Sequence, residues 1–475
     1  MKKKIICTVS FLLIFIMIMF RVHDIFSYKY SDGIYSLTSF YDLPKDSVDV
    51  LVLGSSHAFA GINPAVLWED KGIASFDLCG SGQLMWNTYY YLKEALKTQK
   101  PKLVVLEAYK LVDDTVYSDD DANVIKNVSG LKLSREKIDA LQASVPKERQ
   151  IGLGMEYIQY HNRYKSLSSE DFLPNRGLGE YRSWKGYGLY YTMQPYEKQE
   201  ISNDCGYTKL PPREEEYYRK IIELCTQENL PLLVVVNPFS SYDDWYQGLY
   251  NEAKRIAGEY EIPFVNLNEP ENGLVMNWET DFADPGHLSY LGSERVSHYL
   301  AEYITNHYEI PNRKSEAQSK YDSWEDNAQT YRNNLWSNGL AEICDLNEYA
   351  QRLAGIPENY VIIISVKGQI DEADNAFTSL MDFWEIPYDQ AYDDRAWVIS
   401  EEGISCVTAT PCNYFWSKRY ESKELVVDAN GIYFDGRTNY QKSKDCVNVV
   451  VFDELNCRVA DAVEINAVNN GEIVR

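Results

Sequence analysis

The sequence predicts an α/β fold, a three-layer α/β/α sandwich around a parallel sheet, preceded by a transmembrane anchor and followed by a smaller β-rich α+β domain. Three observations carry this expectation. Apolar, β-branched runs at 48–53, 73–78, 103–106, 232–236 and 262–267 recur with helical stretches between them. The runs are continuous rather than alternating, as expected of parallel strands buried on both faces. The chain opens with three lysines and an apolar run, and past residue 330 it turns to short strands separated by Gly, Asn and Asp.

The first element is the N-terminus. Lys2, Lys3 and Lys4 precede an apolar run from Ile5 to Phe20 that Arg21 closes. A positive segment followed by an apolar one is an export signal, and no small-residue cleavage site follows it. The spacing therefore predicts an uncleaved signal anchor over residues 1–25, with the lysines on the cytoplasmic side and the rest of the chain outside a cell membrane it crosses once.

The second element is the sandwich, over 26–311. Between about 110 and 210 the text becomes polar and Tyr-rich with no strong strand signal, which reads as an insertion over the C-terminal edge of the sheet. After Ile310-Pro311, a polar stretch over 312–330 reads as a linker leading into or including a surface helix. The third element, 331–475, is expected to form strands at 361–366, 397–400, 424–427, 447–452 and 460–465.

Composition narrows the function classes. A formal net charge of -25, from 71 acidic and 46 basic side chains, repels phosphate backbones and excludes nucleic acid as an expected partner. The 38 tyrosines suit surfaces that stack on sugars and equally suit ordinary interfaces. Nine cysteines are scattered without a C-x-x-C pair, so neither a metal site nor a cofactor is expected. Cys406 with Cys412, and Cys446 with Cys457, are close enough in sequence for disulfides in an exported protein, with the connectivity left open.

The chemistry centres on Ser56. The first strand ends in Gly54-Ser55-Ser56-His57, which places a serine at the carboxyl end of a strand leading into a helix, where open α/β sheets present their ligands. A serine hydroxyl needs an imidazole base, itself oriented by a carboxylate. The close His-carboxylate pair downstream is Asp284-Pro-Gly-His287, three positions apart across a Pro-Gly turn. His57, beside Ser56, is read either as a substrate contact or as an ordinary helix-start residue. His161, Arg163 and Lys185 fall in the insertion, where a lid or an acceptor site for a polyanionic or sugar substrate would lie, with surface salt bridges as the alternative for the cations.

These residues resemble the SGNH/GDSL hydrolases. The strand-terminal Gly54-Ser55-Ser56 and the distant Asp284-x-x-His287 look most like the envelope branch of that family, which includes O-acetyl-modifying proteins and the D-alanyl-teichoic acid transfer protein. The resemblance covers roughly 45–310 and implies a flavodoxin-like sandwich. It implies Ser56 as nucleophile, His287 as general base, Asp284 as its orienter and Ser55 as a backbone-shaping neighbour. The oxyanion hole it implies comprises the Ser56 N–H, a glycine N–H from the second block Asp77-Leu-Cys-Gly80-Ser-Gly-Gln83, read as Gly80 or Cys79 by register, and an asparagine from the third block. The third block reads Glu107-Ala108-Tyr109 instead, so either Asn87 is the substitute or the third donor is missing, and Gln83 is a candidate substrate contact.

The C-terminal strands, with Asn359 to Gly368, Trp397 to Gly403 and 447–453, resemble the interleukin-like EMT inducer domain over about 330–475, which implies a non-catalytic glycan- or protein-binding appendage. That module has no histidine to act as a base. The function expected from the whole is a serine esterase or O-acyltransferase acting on O-acetyl or other O-acyl groups of envelope or extracellular polysaccharide, with a membrane O-acyltransferase as an expected partner in the transfer case. The alternative expectation is an SGNH-fold glycan-binding or assembly protein of weak or lost activity.

Overall fold

A computed structural model describes residues 2–27, 32–155, 160–172, 184–202, 204–315, 320–357, 359–367, 381–382, 395–400, 402–408, 415–420, 423–428, 431–434, 436, 438–441, 446–466 and 472–475. The chain divides into two compact units, Met1–Ala328 and Gln329–Arg475.

The first unit is built on five parallel strands, β1 (Val50–Gly54), β2 (Ser75–Cys79), β3 (Leu103–Glu107), β4 (Leu232–Val236) and β5 (Phe264–Asn266), in the order β2-β1-β3-β4-β5. Every residue of β1 to β4 is buried, which is why the sequence shows unbroken apolar runs there. After β1 the chain steps to one side for β2 and to the other for β3. The order therefore reverses at β1, and a crevice opens beyond its carboxyl end.

Helix α1 (Lys2–Phe26) is the N-terminal apolar helix, and Lys4–Phe26 is long and apolar enough to cross a membrane. The helices α2 (Ile34–Tyr41), α3 (Ser56–Gly61), α4 (Pro64–Lys71) and α5 (Met85–Ala95) follow. The region read as an insertion holds α6 (Asp121–Val128), α7 (Arg135–Ser144), α8 (Lys147–Gly154) and the single-turn 3-10 segments His161–Lys165 and Ser169–Phe172. The sandwich continues through α9 (Pro212–Gln227), α10 (Asp244–Glu259) and α11 (Tyr290–His307).

The polar stretch after Pro311 is more tightly held than a linker. Arg313 pairs with Asp49 at 2.7 Å. Helix α12 (Asp322–Ala341) is not a surface helix at its start, because Trp324 is fully buried and its Nε1 donates to the Ser75 carbonyl at 2.7 Å. A tryptophan inside a charged run is easily read as surface text, and this one anchors the helix to the edge of β2.

Among the described residues, the second unit carries a short helix, α13 (Leu346–Ala354), and two antiparallel sheets. The strands are β6 (Tyr360–Lys367), β7 (Arg395–Ser400), β8 (Gly403–Thr408), β9 (Phe415–Tyr420), β10 (Lys423–Asp428), β11 (Gly431–Phe434), β12 (Thr438–Asn439), β13 (Cys446–Asp453), β14 (Arg458–Asn466) and β15 (Glu472–Val474). Six pair in the order β15-β14-β13-β6-β7-β8 and four in the order β12-β11-β10-β9. Alternate residues of β6 enter two cores: Ile362 and Ile364 pack with Tyr349 and Leu353 of α13, whereas Val361 and Ile363 pack with Leu425, Val427 and Ile432 of the smaller sheet. No disulfide joins Cys446 and Cys457, whose sulfurs donate to the Glu464 carboxylate and the Glu454 carbonyl. Cys412 and the side chain of Cys406 lie outside the described residues.

Candidate active site

The site begins with the turn that ends β1. Gly54 has φ +153, and a Cβ there would stand 2.8 Å from the Ala58 Cβ and 3.0 Å from the Glu107 Cβ, so only glycine lets the chain pass between α3 and β3. Ser55 is the N-cap of α3, accepting from the His57 N–H at 3.4 Å. Ser56 is thereby the first helical residue, with its N–H among the donors that a helix leaves without an internal acceptor.

His287 is delivered by a pinned loop. Phe282 bridges to Leu288, the Ala283 N–H donates to the His287 carbonyl at 2.9 Å, and the Ser289 N–H donates to the Asp281 carbonyl at 2.9 Å. The buried Asp281 carboxylate pairs with Arg295 of α11 at 2.7 Å and accepts from the Asn277 N–H at 2.6 Å. On the opposite side the Pro285 carbonyl accepts from the Ser240 N–H at 3.1 Å.

The three residues singled out by spacing are brought together. His287 Nε2 lies 2.8 Å from Ser56 Oγ, and His287 Nδ1 lies 2.9 Å from Asp284 Oδ2. Asp284 Oδ1 also accepts from the N–H groups of Gly286 at 2.8 Å and His287 at 2.9 Å. Partial burial works to raise the Asp284 pKa, but the Gly286 amide and the His287 ring and amide outweigh it and hold the carboxyl below its ordinary value. An ionised carboxylate on Nδ1 leaves Nε2 to face the serine as acceptor. The Tyr190 ring stacks on His287 with centroids 5.5 Å apart.

His57 belongs to the same cluster. Its imidazole lies flat on Tyr109, with centroids 3.3 Å apart, and 5.1 Å from the His287 ring. Burial, then the proximity of His287 and Lys110, pushes its pKa well below the ordinary histidine value, so the ring is neutral at pH 7. The His57 carbonyl accepts from Asn237 Nδ2 at 2.9 Å, and Asn237 follows β4 directly. Glu107, at the end of β3, accepts from the Tyr109 N–H at 3.1 Å. Its burial outweighs that bond and raises its pKa to about 8, so it too is mostly neutral at pH 7. Asn237 has no place in the sequence reading, and Glu107 and Tyr109 enter it only as a third block without an asparagine. The available signal is a polar or aromatic residue at the end of an apolar strand or within two residues of it, the same signal that singles out Ser56.

The remaining candidates fall elsewhere. Gly80 follows β2, whose Cys79 is in register with Gly54, so it lies one residue beyond that pair, as Ser55 does on β1. A Cβ on Gly80 would collide with Asn127 Oδ1 of α6. Asn87 does not reach the cluster, because α5 turns its amide to Ser144 Oγ at 3.1 Å. Gln83 is buried and donates to Thr88 Oγ1 at 3.1 Å. Lys185 is not a surface cation: it is buried, donates to Ser323 Oγ at 2.7 Å and lies 4.3 Å from the Trp324 ring, and desolvation lowers its pKa to about 7 against the field of Asp326. Arg163 is held by the carbonyls of Ile25, Phe26 and Ser27 and by Asp171, and His161 lies on the same 3-10 turn. Among the described residues, no group of three or more His, Cys, Asp or Glu side chains could hold a metal ion.

A cavity of about 240 Å³ opens at the same end of the sheet, bounded by Pro238 after β4, Leu267 and Asn268 after β5, and Met276 and Trp278. Trp278 packs on Phe282 of the histidine loop with centroids 4.8 Å apart.

No family model matches this chain, and no curated protein matches it by sequence. Among solved structures, a Bacteroides fragilis protein provisionally named an acylhydrolase aligns over 56% of this chain and 92% of its own, at 12% identity and a TM-score of 0.29. At that score the likeness assigns no function.

Proposed function

We propose that the first unit is an SGNH-type serine esterase or O-acyltransferase, acting on O-acyl groups, above all O-acetyl groups, of envelope or extracellular polysaccharide. The observation that carries this reading is the 2.8 Å approach of His287 Nε2 to Ser56 Oγ with Asp284 on the far nitrogen. In the proposed cycle Ser56 Oγ attacks the ester carbonyl while its proton passes to His287 Nε2. The tetrahedral intermediate expels the sugar alkoxide, which takes that proton, and leaves an acyl-serine. Water or a second sugar hydroxyl then attacks the acyl carbon, giving up its proton to Nε2, and Ser56 is released with that proton. Water yields hydrolysis and a sugar hydroxyl yields transfer. The N–H groups of Ser56 and Gly80 hold the oxyanion. Neutral His57 and protonated Glu107 add no charge beside it and leave Asp284 as the carboxylate that steadies the imidazolium.

The cavity beside Trp278 would lodge part of the substrate, since an aromatic ring offers a flat apolar face to a sugar or acyl group. Helix α1 would anchor the unit, with the catalytic face outside the cell and a membrane O-acyltransferase as donor in the transfer case. The β-rich second unit would be a non-catalytic glycan- or protein-binding appendage of the interleukin-like EMT inducer type.

One observation favours a second reading, a glycan-binding protein of weak activity: the Asn87 amide is committed to Ser144, so Asn87 does not complete the oxyanion hole. The test is acetate release from an acetylated polysaccharide by the full chain and by Ser56→Ala. Release that the variant abolishes supports the ester reading. Sugar binding without release, equal in both proteins, supports the second.

A further inference from the structure

Arg163, a candidate substrate contact or salt-bridge partner by its place in the insertion, ties that region to the end of α1. Its Nη1 donates to the carbonyls of Phe26 at 3.2 Å and Ser27 at 2.6 Å, and its Nη2 pairs with Asp171 at 2.5 Å. The last carbonyls of a helix lack internal donors and carry the negative end of its dipole, so a guanidinium there is a strong cap. A second tie runs the other way: Arg21 of α1 donates from Nη2 to the Phe172 carbonyl at 2.6 Å and from Nη1 to Asp24 at 2.9 Å.

The length of α1 sets the height of these ties. The 23 residues Lys4–Phe26 rise by about 34 Å at ~1.5 Å per residue, against a hydrocarbon core of roughly 30 Å. If α1 spans a bilayer, its last turn lies at the far boundary and Arg21 lies just within it, its head group reaching outward as long cations do at helix ends. Both of these ties, from Arg163 and to Phe172, are made by the segment 161–172. On that segment Tyr164 is 62% exposed and Phe172 is 51% exposed, and Lys165 Nζ sits 5.6 Å from the Tyr164 ring. Exposed aromatic side chains with a lysine, at the level where a helix leaves the membrane, match the composition of the lipid headgroup layer.

We propose that residues 161–172 form an interfacial shelf. Tyr164, Lys165 and Phe172 enter the headgroup layer of the leaflet from which α1 emerges, so the chain meets the bilayer through two elements and the first unit is held close to it. The inference rests on the anchor assigned to α1 and is independent of the ester chemistry.

The test uses the full chain in vesicles of phosphatidylcholine and phosphatidylglycerol, with and without brominated acyl chains. Tyr164→Trp and Phe172→Trp each add one emitter to the shelf, and Tyr207→Trp, at a position 69% exposed, adds one elsewhere on the unit. These are aromatic exchanges at exposed sites, so melting temperatures should stay at the wild-type value. The emission added at 164 and 172 is expected to fall by about half or more in brominated vesicles, as for side chains at the acyl boundary, while that added at 207 is retained. Equal retention at all three positions, in a chain that floats with the vesicles, overturns the shelf and leaves the anchor standing. A chain that does not float overturns both.

Discussion

The imidazole of His57 lies flat on the phenol ring of Tyr109, with centroids 3.3 Å apart and planes 13° from parallel. This stack fixes the residue next to Ser56 against the end of β3, and Phe239 closes on both rings edge-first at 5.7 and 5.2 Å. Removing the ring should loosen the start of α3. Tyr109→Ala is expected to lower kcat for an acetyl ester by about ten- to a hundredfold, the usual consequence of a small misplacement at a reacting centre. Tyr109→Phe keeps the stack and should keep the rate. A hydrolysis assay on both variants, with melting curves to exclude unfolding, checks this.

Asp284 should matter through its charge. Its carboxylate accepts hydrogen bonds from His287 Nδ1 and from two turn amides. Asp284→Asn preserves the shape of the turn but offers Nδ1 a group that can donate, favouring the wrong tautomer. Turnover is expected to fall by about three to four orders of magnitude with little change in KM. Steady-state kinetics of the variant decides it.

Burial of Glu107 and Glu214 raises both pKa values from 4.5 to about 8, although each accepts a backbone N–H. Between those limits the folded state binds more protons than the unfolded state, so each group's stabilising effect is complete below pH 4.5 and is lost as pH rises through 8. Each should change the unfolding free energy by about 1.4 kcal/mol per pH unit inside that window. His57 opposes them below its ordinary value of 6.5, because its lowered pKa favours the unfolded state in acid. Glu107→Gln isolates one contribution: urea midpoints of the variant should depend less on pH between 5 and 8 than those of the wild type.

Lys185 gives the opposite limb. Desolvation lowers its pKa from 10.5 to about 7, so the unfolded state binds more protons between those values and stability rises with pH across them. Lys185→Met should remove that rise, measured as the difference in denaturation midpoint between pH 7 and pH 10.

Much of the scaffold is legible in the text of the chain because burial on both faces writes itself as unbroken apolar runs. The runs at 48–53 and 73–78 contain most of β1 and β2, and 447–452 lies within β13. Strands with half-exposed faces leave a weaker trace: β9, Phe-Trp-Ser-Lys-Arg-Tyr, has no fully buried residue, and the sequence reading passes over it. Ser56, Asp284 and His287 are legible because a strand end and a tight turn constrain them locally. Asn87 and Lys185 are misplaced, and Arg163 takes the salt-bridge alternative with Asp171 while also meeting the carbonyls of 25–27, because Ser144, Ser323 and those carbonyls are distant in sequence. Chemical type alone suggests a donor or a cation at a site, and only the packing of α5, α1 and α12 shows where each one goes.

The most direct measurement of the central claim is covalent labelling of the full chain with a fluorophosphonate, mapped by peptide mass spectrometry, in the wild type, Ser56→Ala and His287→Gln. The expected result is a single phosphonylated serine, Ser56, absent from the first variant and strongly slowed in the second. Equal labelling of the wild type and His287→Gln, or none at Ser56 in a folded chain that cleaves no acetyl ester, would contradict the assignment of Ser56 as an activated nucleophile.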